Sequence, residues 1–183
     1  MSSELLAARW YVLHVKSRSE WVVSAGLRGM GYEEFVPCYR ARRQWTDRVK
    51  EVELPLFAGY VFCRLDASRR LPVLTIPGVT GIVGTRQGPL AVDGGEIAAL
   101  RLIAGSGAAA APWPYLEAGQ QVRIDRGPLR HLEGLLVEVK NRYRVVVSVA
   151  ILQRSVAAEV DRDSITPIYS GRARAEGLCH SRV

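Results

Sequence analysis

The chain is poor in the residues from which most catalytic and metal centres are built. Its 183 residues include only three cysteines and three histidines. Cys38, Cys63 and Cys179 are odd in number, far apart and form no C-x-x-C pair, so reduced thiols are expected rather than a disulfide framework or a zinc site. His14, His131 and His180 fall in three different segments, which argues against a metal or acid–base cluster. There is no G-x-S-x-G elbow, no Gly-Lys-Ser/Thr phosphate loop and no H-E-x-x-H helix, so no catalytic residue is assigned and a non-enzyme without metal or cofactor is expected. Gly81-Ile82-Val83-Gly84 has the spacing of an RNA-binding G-x-x-G loop, but its apolar interior and the lack of a basic neighbour before Arg86 mark it as a buried strand. Long apolar runs are also missing. The longest, around Val145 to Leu152, is broken by Ser148 and is too short to cross a bilayer. Leu5-Leu6-Ala7-Ala8 has no basic region before it and Arg9 after it, so it does not read as a secretory signal; a cytoplasmic protein with no membrane partner is expected.

What the chain has in excess is positive charge, net +7, within an otherwise ordinary globular composition of 48% hydrophobic and 23% charged residues. Residues 1–105 carry fourteen basic against ten acidic side chains; 106–116 carry none of either; 117–169 carry eight against seven, and 170–183 three against one. In the first stretch the basic residues bunch as Lys16 and Arg18, then Arg40, Arg42 and Arg43, then Arg69 and Arg70. Any one of these reads as solvated surface; three bunches within one small module point to an edge that faces nucleic acid.

The distribution also divides the chain. Gly105-Ser106-Gly107-Ala108-Ala109-Ala110-Ala111-Pro112-Trp113-Pro114 has the small-residue and proline content of a connector. The expected organisation is therefore a first module over 1–105, a linker over 106–116, a second module over 117–169 and a disordered tail over 170–183. In the first module, Trp10 to Val15 alternates as a strand, Ser19 offers an N-cap to a helix from Glu20 to Met30, and Gly31 ends it. Glu34–Trp45 and Val49–Leu54 read as a hairpin turning at Thr46-Asp47-Arg48, its outer half densely basic and the expected nucleic-acid prong. A strand over Tyr60–Leu65, a short helix over Ser68–Leu74, a brief strand over Thr80–Gly84 and a helix over Asp93–Ile103 complete it. This is an α+β pattern, an antiparallel sheet flanked by helices. The second module packs short β-branched strands around Gly127-Pro128 and Asn141-Arg142, as expected of a small five-stranded β-barrel.

The stretch Leu54-Pro55-Leu56-Phe57-Ala58-Gly59-Tyr60-Val61-Phe62 sets aromatic rings around a proline and a glycine at a strand entrance, a composition suited to docking a protein. Together with Arg9-Trp10-Tyr11-Val12, Ile76-Pro77-Gly78-Val79-Thr80-Gly81-Ile82-Val83 and the Gly119–Gly134 pattern, it resembles the NusG family of transcription elongation factors. The resemblance runs from about residue 9 to residue 168. It is closer to the specialised antiterminators of the UpxY and RfaH kind than to the housekeeping factor, because the early hairpin is compact.

The resemblance implies an NGN-like amino-terminal domain followed by a KOW domain, an SH3-like barrel. It further implies a monomer whose first domain docks a hydrophobic depression onto the clamp helices of bacterial RNA polymerase, bridges the DNA cleft beside upstream or non-template DNA, and disfavours pausing. The depression maps onto Val12, His14, Phe57, Tyr60 and Phe62. The family's KOW domain recruits a ribosomal protein or Rho, and the matching surface is Ile151, Leu152 and Arg154. Three positions depart from the family. Ala58 stands where a second proline often follows the phenylalanine, Leu152 stands where the housekeeping factor has phenylalanine, and Arg69-Arg70-Leu71-Pro72 replaces the hydroxyl-rich patch of RfaH. The valines at 145, 146, 147, 149, 156 and 160, with Ile151, favour strands over helices, so a permanent barrel is expected rather than one that refolds. The competing expectation is a ribosome- or RNA-binding factor that uses the barrel directly, with Arg123, Arg126, Arg130, Arg142 and Arg144 as its cations.

Overall fold

The structure, a computed structural model, describes residues 8–44, 49–113, 115, 119–139 and 142–168. The first module opens with β1 (Arg9–Val15), α1 (Glu20–Gly29), β2 (Glu33–Phe35), β3 (Cys38–Gln44), β4 (Val49–Pro55) and β5 (Tyr60–Leu65). It continues through α2 (Leu71–Leu74), β6 (Val79–Ile82), the β7–β8 pair (Gly84–Thr85 and Gly88–Pro89) and α3 (Gly94–Gly105). Four strands form its central sheet in the order β2-β5-β1-β6, while β3 and β4 make a separate two-stranded ribbon. All strand pairs are antiparallel.

The strand expected over Glu34–Trp45 is two strands. Pro37 lacks an N–H for a ladder and restricts the residue before it, so pairing with β5 stops at Phe35 and the chain leaves the sheet. The Pro37 carbonyl instead accepts the Leu56 N–H at 2.8 Å, and β3 then begins the ribbon. The turn expected at Thr46-Asp47-Arg48 lies outside the described residues.

The central sheet is covered on both faces because β1 and β5 alternate. Tyr11, Leu13 and Val15 on β1 and Val61, Cys63 and Leu65 on β5 are buried with Val23 and Leu27 of α1, and with Val73 and Ile76. The opposite face carries Val12 and Phe62, which pack with Leu56, Phe57 and Ile97, Leu100 and Ile103 of α3. Each such side chain taken out of water contributes about 1.5–3 kcal/mol. Asp93 caps α3, accepting the Gly95 N–H at 2.7 Å. Arg101 of α3 then reaches back over the Trp10 ring at 4.8 Å and pairs with Glu33 at 2.7 Å.

The second module holds β9 (Ala110–Trp113), β10 (Gln120–Ile124), β11 (Glu133–Val139), β12 (Arg142–Val149), β13 (Arg154–Val160) and β14 (Ile165–Pro167), ordered β14-β10-β11-β12-β13-β9. This is an antiparallel sheet consistent with an SH3-like barrel, and it has one strand more than the five expected. The extra strand comes from the connector: Ala111 and Pro112 pair with Ala157 and Val156 of β13. An edge position tolerates Pro112, whose missing donor need not face a partner. Val122 and Ile124, Val145, Val147 and Val149, and Val156 and Ala158 alternate onto one buried face. Among the described residues no helix is long and apolar enough to cross a membrane.

Candidate functional site

Register brings the family-matched residues of the first module together. Val12 pairs with Phe62 and His14 with Tyr60 across the β1–β5 ladder, so all four share one sheet face. Phe57 joins them from the β4–β5 turn, its ring edge-on to Phe62 at 5.7 Å. That turn depends on Gly59 at φ +85°, a conformation costly for other residues. The Gly59 N–H is held at 2.8 Å by the carboxylate of Glu20, a side chain only 4% exposed at the start of α1. In the sequence Glu20 stands only as the first residue of a helix, and no pattern there couples it to Gly59.

His14 is held by two residues, Tyr60 and Thr80. Its ring meets Tyr60 edge-on at 5.3 Å, its Nδ1 lies 2.7 Å from the Thr80 hydroxyl, and that hydroxyl also stands 2.9 Å from the His14 carbonyl. A threonine hydroxyl has a single proton. Donated to the carbonyl, it obliges Nδ1–H to be the donor to Thr80. A register irregularity between His14 and Val15 on the β6 side accompanies this pairing.

The face is not open along its length. Val12, Phe57 and Phe62 are buried, Tyr60 is half-buried and His14 is exposed. The cluster that encloses the three buried residues continues into the barrel and includes Leu152, with Ile151 packed against it. Two polar contacts bind the modules at this seam. Ala150 N–H, in the turn between β12 and β13, donates to Glu96 Oε1 at 3.1 Å, and the Arg154 guanidinium lies 5.3 Å above the Tyr60 ring. Burial pushes the Glu96 carboxyl above the usual glutamate range, opposed by the hydrogen bond from Ala150. The residues matched to a polymerase-binding hollow and those matched to a KOW partner surface thus meet within one protein.

The basic bunches stand in different places. Lys16 and Arg18 are exposed on the β1–α1 turn, where Arg18 has φ +63° and Lys16 N–H bonds Gly78 O at 2.8 Å. Arg69 and Arg70 are exposed ahead of α2, and Arg70 donates to Ala67 O at 3.0 Å. Arg40, Arg42 and Arg43 lie on the separate ribbon, in register with Glu53, Glu51 and Lys50. Two of those three arginine positions, Arg40 and Arg42, are thus in register with acidic positions of the hairpin's other strand.

In the barrel, Arg123 pairs with Asp125, Arg142 and Arg144 with Glu159, and Arg144 also covers the Trp113 ring at 5.2 Å. These internal partners draw off much of the positive charge that a direct RNA surface would need. Burial pushes the thiols of Cys38 and Cys63 up to about 12; Cys179 lies outside the described residues. Among the described residues no group of His, Cys, Asp and Glu side chains comes together that could hold a metal ion.

The family model described as transcription termination factor NusG matches residues 8–101, more than half of the chain. The chain belongs to the NusG family. Transcription termination/antitermination proteins NusG are similar along nearly the whole length. The Pseudomonas aeruginosa protein is 28% identical over 89% of this chain and 100% of its own. The Escherichia coli K12 protein is 29% identical over 87% and 96%, and that of Vibrio parahaemolyticus 30% identical over 87% and 95%. The solved structure titled "Domain interaction in Thermotoga maritima NusG" matches with a TM-score of 0.56 at 20% identity, over 90% of this chain and 99% of that one, a likeness of fold.

Proposed function

We propose that this NusG-family protein is an elongation and antitermination factor of the specialised kind, which engages the clamp helices of bacterial RNA polymerase through the β1–β5 face. Val12, His14, Phe57, Tyr60 and Phe62 form the contact. Lys16, Arg18 and the arginines at 40, 42, 43, 69 and 70 steer the module beside upstream or non-template DNA. Bridging the cleft suppresses pausing, and the KOW barrel recruits a ribosomal protein or Rho through Ile151, Leu152 and Arg154. The observation that carries this reading is the register that places Val12 and Phe62, and His14 and Tyr60, on one face beside Phe57.

Arg154 and Ala150 of the barrel meet Tyr60 and Glu96 at the edge of that face, which α3 also covers, so engagement at Tyr60 requires the barrel to withdraw. Phe57→Ala is a poor probe because Phe57 is 1% exposed and its loss would leave a core cavity. Arg154→Ala removes the cation from Tyr60 without touching the first module. The single variant is expected to be captured by an immobilised clamp-helix fragment more strongly than the natural protein. Adding Tyr60→Ala then lowers capture by about tenfold or more, as for loss of a buried aromatic anchor. Equal capture of the single and double variants, or an unchanged pause lifetime on adding the Arg154→Ala protein to transcribing polymerase, would refute the reading.

A further inference from the structure

A cleft of about 720 Å³ separates α3 from the wall of the barrel. Leu102 lines it from α3, and Leu135 of β11 and Val146 of β12 line it from the other side. Two carboxylates, Glu96 and Glu133, stand among these aliphatic walls. Among the described residues neither forms an ion pair. Glu96 is half-buried, and its Oε1 accepts the Ala150 N–H, which leaves Oε2 without a donor from that bond. Burial, with Asp93 nearby, pushes its carboxyl up, and no cation acts against them. Arg123 stands opposite Glu133 in the β10–β11 register but pairs with Asp125 at 3.2 Å. No lysine or arginine lines the cleft, whose one basic side chain is His131. Carboxylates so placed favour an incoming cation.

The last described residue, Ile168, lines the same cleft, its N–H held by the Gln121 carbonyl at 2.9 Å. The sequence that follows, residues 169–183, lies outside the described residues and carries Arg172, Arg174 and Arg182 against a single acid, Glu176. Counted from Ile168, Arg172 and Arg174 have about 14 and 20 Å of chain at full extension, so both reach a cleft that Ile168 itself borders.

We propose that residues 169–183 dock in the cleft between α3 and the barrel, with Arg172 and Arg174 seated on Glu96 and Glu133. Two cations thereby meet two carboxylates that no other cation neutralises. Their spacing suits an extended segment, in which positions 172 and 174 share one side and Ala173 and Ala175 turn to the aliphatic walls. Arginine suits a half-buried seat because its guanidinium is weakly hydrated and keeps its charge. Attachment at Ile168 makes the encounter intramolecular, at an effective concentration on the order of millimolar. A second chain could offer the same charges, but only at its bulk concentration. Once seated, the segment ties β11 to α3 through side chains.

The test uses the full chain, labelled with nitrogen-15 and carrying a nitroxide on Cys179. Cys38→Ser removes the half-buried thiol, and Cys63 is fully buried. The label should broaden the amide signals of Leu102, Leu135 and Val146, and molar sodium chloride should remove most of that broadening. Arg172→Glu combined with Arg174→Glu should abolish it without salt, and adding Glu133→Arg to that pair should restore it at Leu135. No broadening in the cleft overturns the proposal, as does broadening that persists in the doubly substituted chain. Absence of rescue by Glu133→Arg overturns the assigned pairing. Mixing nitrogen-15 chains that lack the nitroxide with unenriched chains that carry it should leave the cleft signals sharp; broadening there would give the cleft to a second copy instead. The polymerase reading stands or falls separately, on the clamp-helix capture.

Discussion

Glu20 shows how much a single side chain can settle. Its carboxylate is buried at the start of α1 and accepts the Gly59 N–H, fixing the turn that delivers Phe57 and Tyr60. Replacing it with alanine leaves that N–H without its acceptor and is expected to cost about 1–3 kcal/mol in urea denaturation, while Glu20→Gln keeps an oxygen in place and recovers most of the loss. Other carboxylates give the fold a pH dependence of mixed sign. The Arg101 hydrogen bond, with help from Arg64, holds Glu33 below its ordinary 4.5, and Arg144 with Arg142 does the same for Glu159. Their stabilisation is complete above 4.5 and is lost as the pH falls through the lowered folded values. Glu96, raised by burial, acts oppositely and gains as the pH falls. Thermal midpoints taken from neutrality downwards should therefore fall only below the ordinary glutamate range, and in Glu159→Gln the fall should be shallower. None of these partnerships was legible in the sequence: Glu20 and Gly59 are 39 positions apart, and His14 and Thr80 are 66 apart, so no local period couples them.

At the scale of elements, the periodic segments were legible. Alternation over Trp10–Val15 and Tyr60–Leu65, the helix from Glu20 and the helix from about Asp93 stand where their patterns place them. Three boundaries were not. The valine-rich strand expected from Tyr143 to Leu152 ends at Val149, where Ala150–Leu152 forms a turn. Pro37 divides a stretch whose composition is continuous, and the alanines of Ala110–Trp113 carry no strand propensity of their own, so only the waiting edge of β13 makes them a strand. Close approach matters at one further point, where a Cβ on Gly134 of β11 would meet the Val146 carbonyl at 2.5 Å and Val145 Cγ1 at 2.7 Å. The carbonyl is backbone of the adjacent strand and cannot rotate away, and Val145 is fully buried in the barrel core. Gly134→Ala is expected to destabilise the barrel by about 1–3 kcal/mol, read as a lowered thermal midpoint with the first module's helix signal unchanged.

For the whole molecule, the family was legible because motif order descends from the linear chain, and period two placed Val12 with His14 and Tyr60 with Phe62 on one face of each strand; the register that joins the two strands was not. Nor was the contact of the barrel with the edge of that face, since it joins Glu96 of α3 and Tyr60 of β5 to a turn that no sequence pattern links to them. Charge acts at this scale too. Under the proposed function Arg69 and Arg70 contact phosphate or an acidic polymerase loop, and replacing both with alanine should flatten the salt dependence of assembly on a transcribing complex; an unchanged slope would remove them from the interface.

With β9 zipped to β13, only residues 106–109 remain between α3 and the second sheet, a leash whose reach is roughly 15 Å at full extension. A departing barrel so tethered stays at an effective concentration on the order of millimolar, and reseats quickly unless something else holds it. Under the proposed opening, peeling Ala110–Trp113 away would double the leash and lengthen each excursion.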